Sequence, residues 1–161
     1  MNLGTRSTAT APAYVSKDEK RDTVDKLNEL IEANRGLIKV YKTAMERLEN
    51  EANIKLLQEC ATQHDSYRAE LSNCVVSYGG EPETGADNHL VTRAWITLKS
   101  LVKDGDEPIL QEVAEDMETL IKEYGETMQT DLPDKARDLV RRQMSEMRVE
   151  QEKLEGLSAL G

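Results

Sequence analysis

LQECATQHDSYRAELSNCVVSY, residues 57–78, is the stretch from which the fold can be read. Leu57, Cys60, His64, Tyr67, Leu71, Cys74 and Tyr78 follow one another at alternating intervals of three and four residues. At about 3.6 residues per turn that spacing puts all seven on one helical face, the seam of a packed bundle helix. Ala61 and Val75 widen the seam into an apolar band, so the segment reads as a helix buried along one side. His64 stands in the middle of that band, where a polar ring needs a hydrogen-bond partner or a ligand.

Working outward, Val24, Leu27, Ile31, Asn34, Ile38, Tyr41, Met45 and Leu48 keep the same spacing. They predict a first helix over residues 17–49, capped by Ser16, with Glu19 placed to complete a capping box. Gly36 weakens that helix locally and leaves room for a close neighbour. A turn at residues 50–53 is too short for anything but an antiparallel second helix. Gly79-Gly80 ends the second helix, and EPETGAD (81–87) is loop. Val91, Ala94, Trp95, Leu98, Leu101 and Val102 predict a crossover helix over 88–103, which would bury Trp95 against the bundle.

After Asp104-Gly105-Asp106, Pro108 suits the first turn of a third helix, expected over 107–130. Its inner face reads Leu110, Val113, Met117, Leu120, Ile121, Tyr124 and Met128. Pro133 opens a fourth, with Val140, Met144, Met147, Leu154 and Leu157 inward and Glu150 interrupting the stripe. A weak internal repeat sets Tyr41 on Tyr124, Leu37 on Leu120, Leu57 on Val140 and Leu71 on Leu154. Two hairpins joined by a long crossover give an all-α bundle whose second and third helices run parallel, the ferritin-like arrangement. Residues 1–15 carry no apolar period and read as a flexible tail, leaving 16–161 as the bundle.

The balance of 21 Lys and Arg against 31 Asp and Glu, a net charge of −10, disfavours tracking of nucleic-acid phosphates or anionic lipid. No apolar run approaches the roughly 20 residues of a membrane helix, and the opening lacks the apolar core of a signal peptide. A cytoplasmic location is expected, with no nucleic-acid or membrane partner. Cys60 and Cys74 lie about 21 Å apart along one helix, too far to pair, which suits a reducing compartment.

The LNELIE opening (27–32), the YGGEPET loop (78–84), Trp95-x-x-Leu98-Lys99 and the TDLP entry to the last helix (130–133) carry a resemblance. From Leu27 to Leu157 the chain resembles a bacterial family of ferritin-like four-helix-bundle proteins. That family is catalogued as a domain of unknown function and loosely described as stress-associated. The resemblance implies the fold and no particular reaction.

A ferritin-like di-iron centre needs an inward Glu on the first and third helices and an inward Glu-x-x-His on the second and fourth. The repeat assigns those positions to Asn34, Met117, Ala61-x-x-His64 and Met144-x-x-Met147, and only His64 is an ordinary iron ligand. Should a metal site exist, its candidates are His64 with Cys60, one turn earlier, and the carboxylates Glu59, Glu146 and Glu150. Zinc through Cys60 and His64 would want two further ligands, and Met117, Met144 and Met147 would suit only a soft cuprous ion. The favoured reading has no metal and no cofactor, iron being the alternative. Asn34, His64, Tyr67 and Glu150 then form a buried hydrogen-bonded layer that fixes helix register. His89 has no triad partner, and there is neither a phosphate loop nor a dinucleotide turn. The expected protein is a non-enzymatic bundle with a structural, interaction or stress-response role, partnered by another protein or by a second copy as a homodimer. The alternative is a metal-dependent oxidase or metal-storage protein centred on His64.

Overall fold

The structure is a computed structural model that describes residues 14–85 and 105–160, with side chains through residue 157. The expected crossover helix, with His89 and Trp95, and most of the N-terminal tail lie outside the described residues. Among the described residues there are four helices, α1 (Lys17–Met45), α2 (Glu51–Ser77), α3 (Glu107–Met128) and α4 (Asp134–Leu160), and no strand. The fold is a ferritin-like four-helix bundle, with α1–α2 and α3–α4 as its two hairpins.

Sequence chemistry places the helix ends. Ser16 Oγ accepts the Glu19 amide at 3.1 Å and starts α1. The helix stops at Met45, one turn short of the expected Glu49, and Leu48 still buries its side chain from the turn that follows. Asn50 then caps α2, its Oδ1 accepting the amides of Ala52 at 2.8 Å and Asn53 at 3.4 Å. The predicted turn at 50–53 is therefore already helix from Glu51, because a side-chain cap at Asn50 satisfies the orphan donors of the first turn. At the other end Gly79 takes a φ of +82°, and the Gly80 amide reaches back to the Val75 carbonyl, closing a left-handed C-cap.

Two contacts fix the direction of travel. Gly80, just past α2, packs against Val24 near the start of α1. Asp106, just before α3, accepts the amides of Glu49 and Asn50 and the side-chain amide of Asn53 at 2.8–3.0 Å. The connection from α2 to α3 therefore returns the chain from one end of the bundle to the other, and α2 and α3 run parallel. The start of the connection is pinned to α1. Asn28 bonds Glu81 O and the Glu83 amide, and the Arg35 guanidinium donates to the carbonyls of Glu83 and Thr84.

The core follows the stripes read from the sequence. Leu27, Ile31, Leu57, Leu71, Leu110, Val113, Met117, Leu120, Val140 and Leu154 are buried, together with the seam residues Cys60, Tyr67 and Cys74. One stripe turns slightly from its expected face. On α4, Met144 is only half-buried at the flank, while its neighbour Gln143 is wholly buried.

Candidate functional site: a buried polar layer around His64

A belt of polar side chains crosses the middle of this apolar core. Asn34, His64 and Gln143 are wholly buried, and Glu150 is 5% exposed. Each sits on an inward face dictated by its helix period, so each needs partners from other helices. His64 Nδ1 lies 2.8 Å from Asn34 Oδ1. The Asn34 amide nitrogen donates to Leu30 O at 2.8 Å and to the Tyr124 hydroxyl at 2.7 Å. Tyr124 donates in turn to Gln143 Oε1 at 2.7 Å, and Gln143 Nε2 donates to Tyr67 O at 3.2 Å and Glu70 Oε1 at 3.1 Å. Glu70 meets the Arg142 guanidinium at the surface.

Direction along this chain is forced. Leu30 O and Tyr67 O are carbonyls and can only accept, so the amide nitrogens of Asn34 and Gln143 must face them. Asn34 Oδ1 is then left facing His64, and Nδ1 must carry the hydrogen that it accepts. The other ring nitrogen, Nε2, faces Glu150 Oε1 at 3.3 Å and the Tyr41 hydroxyl at 3.5 Å. Tyr41 also reaches Glu150 Oε1 at 3.4 Å, while Glu150 Oε2 is buried with no hydrogen-bond partner.

Of the residues singled out in the sequence, Asn34, His64 and Glu150 are brought together. Tyr67 contributes its ring, edge-on to His64 with centroids 5.2 Å apart, and its backbone carbonyl. Its hydroxyl turns outward to Gln63 Nε2 at 2.5 Å. Cys60 is buried, and burial followed by the neighbouring Glu150 carboxylate pushes its thiol well up. Glu59 is exposed, and Glu146 pairs with Arg142 on the outside of α4 and reaches only the outward hydroxyl of Tyr67, so neither joins His64. Three members escaped the sequence reading: Tyr41, Tyr124 and Gln143. The signal for two of them was present, since Tyr41 and Tyr124 are related by the internal repeat and a buried phenol needs a partner. Burial, then Glu150, holds the Tyr41 proton on well above the usual phenol range. Burial likewise pushes Tyr124 up.

The di-iron donor set does not fit these residues. Asn34 offers an amide already spent on three partners, Ala61 offers no donor, and Met117 and Met147 bury thioethers in the core. Among the described residues no three His, Cys, Asp or Glu side chains gather as a metal site requires. A groove of about 550 Å³ elsewhere, between α1, α3 and the 81–85 loop, is lined mainly by the carboxylates of Asp25, Glu29, Glu32, Glu83 and Glu123. None of these residues belongs to the layer.

Comparison with known proteins places this architecture. The sequence model described as a domain of unknown function, DUF2383, matches residues 22–130, which is most of the chain. The chain belongs to that family. No curated protein matches it. Among solved structures, a point mutant of Mycobacterium smegmatis Dps1 superposes with a TM-score of 0.74 at 14% identity, over 89% of this chain and 99% of that one. A two-domain protein from Anabaena variabilis, containing DJ-1/ThiJ/PfpI-like and ferritin-like domains, gives 0.70 at 16% identity, over 88% of this chain and 37% of its own. A dodecameric thioferritin of Bacteroides fragilis, described as bacterioferritin-related, gives 0.67 at 14% identity, over 85% and 84%. At these identities the likeness concerns the fold. The DUF2383 match ends at the entry to α4, so Gln143 and Glu150, two members of the polar layer, lie outside the matched residues. No helix among the described residues is long and apolar enough to cross a membrane.

Proposed function

We propose that this DUF2383 protein is a non-enzymatic ferritin-like bundle, residues 16–161, in which the positions of a di-iron centre have degenerated. Its role is structural, interactive or stress-responsive, in the cytoplasm, through a protein partner or a second copy of itself. The observation that carries this reading is the state of Asn34 and His64. The residue where a bridging carboxylate would stand is a neutral amide, and it is consumed in holding the imidazole and Tyr124. A pair of iron ions requires several anionic oxygens, and one imidazole among thioethers cannot balance their charge in a dry core. Self-association is supported by the assembly of one structural neighbour, the Bacteroides fragilis protein described as dodecameric.

The reading is tested by expressing the full chain with added iron and measuring iron after desalting. Well under one iron per chain is expected, with the melting temperature unaffected by a chelator of iron. A ligand bound only to the folded state would instead stabilise it measurably. Two irons per chain, lost in His64→Ala, would overturn the proposal in favour of an iron-dependent oxidase or storage protein.

A further inference from the structure

We infer that a single proton supplies the positive charge of the layer: His64 stands as an imidazolium paired with the Glu150 carboxylate, and the pair makes the hold of α4 on α1 and α2 sensitive to pH. The inference rests on the reading that no iron pair occupies the layer. The first observation is that two acceptors face each other. Asn34 Oδ1 takes the Nδ1 hydrogen of His64 at 2.8 Å, so in a neutral ring Nε2 would carry only a lone pair. Nε2 faces Glu150 Oε1 at 3.3 Å, and the Tyr41 hydroxyl meets the same oxygen at 3.4 Å. The phenol keeps its own proton, held on by burial and then by Glu150, and donates it to Oε1. A lone pair set against a carboxylate in a dry core is repulsive. A hydrogen on Nε2 turns the same contact into an ion pair.

The second observation is Glu150 itself, 5% exposed, with no hydrogen-bond partner on Oε2. A buried carboxylate met on one oxygen alone needs a cation close by, and His64 Nε2 is the basic atom that faces it. The third observation is the polarity of the hydrogen-bonded chain. Donors run one way from His64: Nδ1–H to Asn34, the Asn34 amide to Tyr124, Tyr124 to Gln143, and the Gln143 amide to Glu70. The acceptor end of the chain thus meets the imidazole and its donor end meets a carboxylate. That order stabilises a cation at His64 and an anion at Glu70. Leu30 O and Tyr67 O lock the two amides, so the chain cannot turn round.

The proton comes from solvent as the chain folds. An unfolded His64 loses it near the ordinary imidazole value of about 6.5. The folded pair keeps it, so above that value the folded chain binds one proton more and this contribution to stability falls as pH rises. Once the proton leaves, the carboxylate is uncompensated where α1, α2 and α4 meet. In acid, a second proton on Glu150 leaves the imidazolium without its anion. The other titratable groups facing the pair are Tyr41 from α1, Cys60 and Tyr67 from α2 and Tyr124 from α3, all pushed up chiefly by burial. Farther out, Glu59 and Lys153 act on Cys60, and Glu146 acts on Tyr67.

The test uses the full chain with His89→Gln, which leaves His64 as the one histidine of the two, labelled with nitrogen-15 in the imidazole and kept in chelator. At about pH 8, where a free imidazole is neutral, both ring nitrogens are expected to give the resonances of an imidazolium. Glu150→Gln in the same background offers an amide donor to Nε2, and is expected to show one protonated and one bare nitrogen. Urea unfolding of the two proteins from about pH 5.5 to about pH 8 is the second readout. The ratio of their folding constants, parent over variant, should fall about tenfold for each unit of rising pH, because the folded parent binds one proton more. Groups common to both proteins cancel in that ratio. If Glu150→Gln does not fold, the spectrum of the parent decides alone. A folded parent with a bare Nε2 at about pH 8 overturns the inference, and so does a ratio that does not change with pH. Chelator keeps metal out of this test, so its failure is separate from that of the proposed function, which iron retained by the full chain would sink.

Discussion

Asn34 decides what kind of core this is. A carboxylate at its position would bring a charge needing a cation; an amide brings one acceptor and two donor hydrogens, and all are used. Replacing it with a leucine of similar volume removes the acceptor of His64 Nδ1–H and leaves that group buried without its partner, while the Tyr124 hydroxyl loses one bond and still donates to Gln143. An orphaned buried group costs about 1–3 kcal/mol, so Asn34→Leu should lose about 1–3 kcal/mol despite gaining apolar surface. Urea unfolding of the two proteins checks this, and a neutral or stabilising Asn34→Leu would mean that the layer does not hold His64 in place. Gln143 is the other hinge of the network, since its amide closes the chain onto α2 through Tyr67 O.

Between elements, small residues at helix ends set how closely the hairpins meet. Gly79 and Gly80 are adjacent but serve different ends. Gly79 takes the left-handed φ of +82° with open space around it, so Gly79→Ala should cost about 1–2 kcal/mol from backbone strain alone. At Gly80 an added Cβ would stand 2.5 Å from Val24 Cγ1 on α1, so Gly80→Ala forces the α2 end away from α1 and should cost about 1–3 kcal/mol. Trimming the neighbour distinguishes the two: Val24→Ala should recover much of the loss in Gly80→Ala and none of that in Gly79→Ala. A double-mutant cycle with no coupling between positions 24 and 80 would refute the close approach. At the opposite end Asp106 plays the converse part, a side chain from the start of α3 that satisfies backbone donors of the α1–α2 turn.

The whole molecule carries several acidic groups that burial keeps protonated. Burial is the largest cause pushing up the phenols of Tyr41, Tyr67 and Tyr124 and the thiols of Cys60 and Cys74. In the unfolded chain these groups lose protons near their ordinary values, 9.0 for the thiols and 10.0 for the phenols. The folded chain keeps them, so above those values the unfolded state binds fewer protons and stability falls as pH rises. Each wholly buried phenol, Tyr41 and Tyr124, contributes a slope of up to about 1.4 kcal/mol per pH unit above its unfolded value. Urea midpoints from about pH 8 to about pH 11 should therefore drop steeply past about pH 9–10. Phenolate absorbance from the core tyrosines should rise together with loss of helix. Titration of all the tyrosines near 10 with the bundle intact would contradict their burial.

Much of the architecture was legible because helix burial is periodic and local. The three-four spacing of residues 57–78 and of Val24 to Leu48 names the inner faces without knowledge of any partner. Ser16 and Gly79 mark two ends by their own chemistry. Within the site, the same periodicity put Asn34, His64 and Glu150 on inward faces. What it could not decide is anything that depends on two helices at once. Neighbouring residues on a helix differ by about 100° in direction, so the choice of Gln143 over Met144 for the core rests on how α4 rolls against α2 and α3. The partners of the Tyr41 and Tyr124 hydroxyls come from other helices, 19 to 109 positions away. The contacts among Tyr41, His64 and Glu150 join three different helices. Only the packed bundle brings those atoms to one place, because spacing within a helix fixes the face a residue shares and not the atoms that face meets.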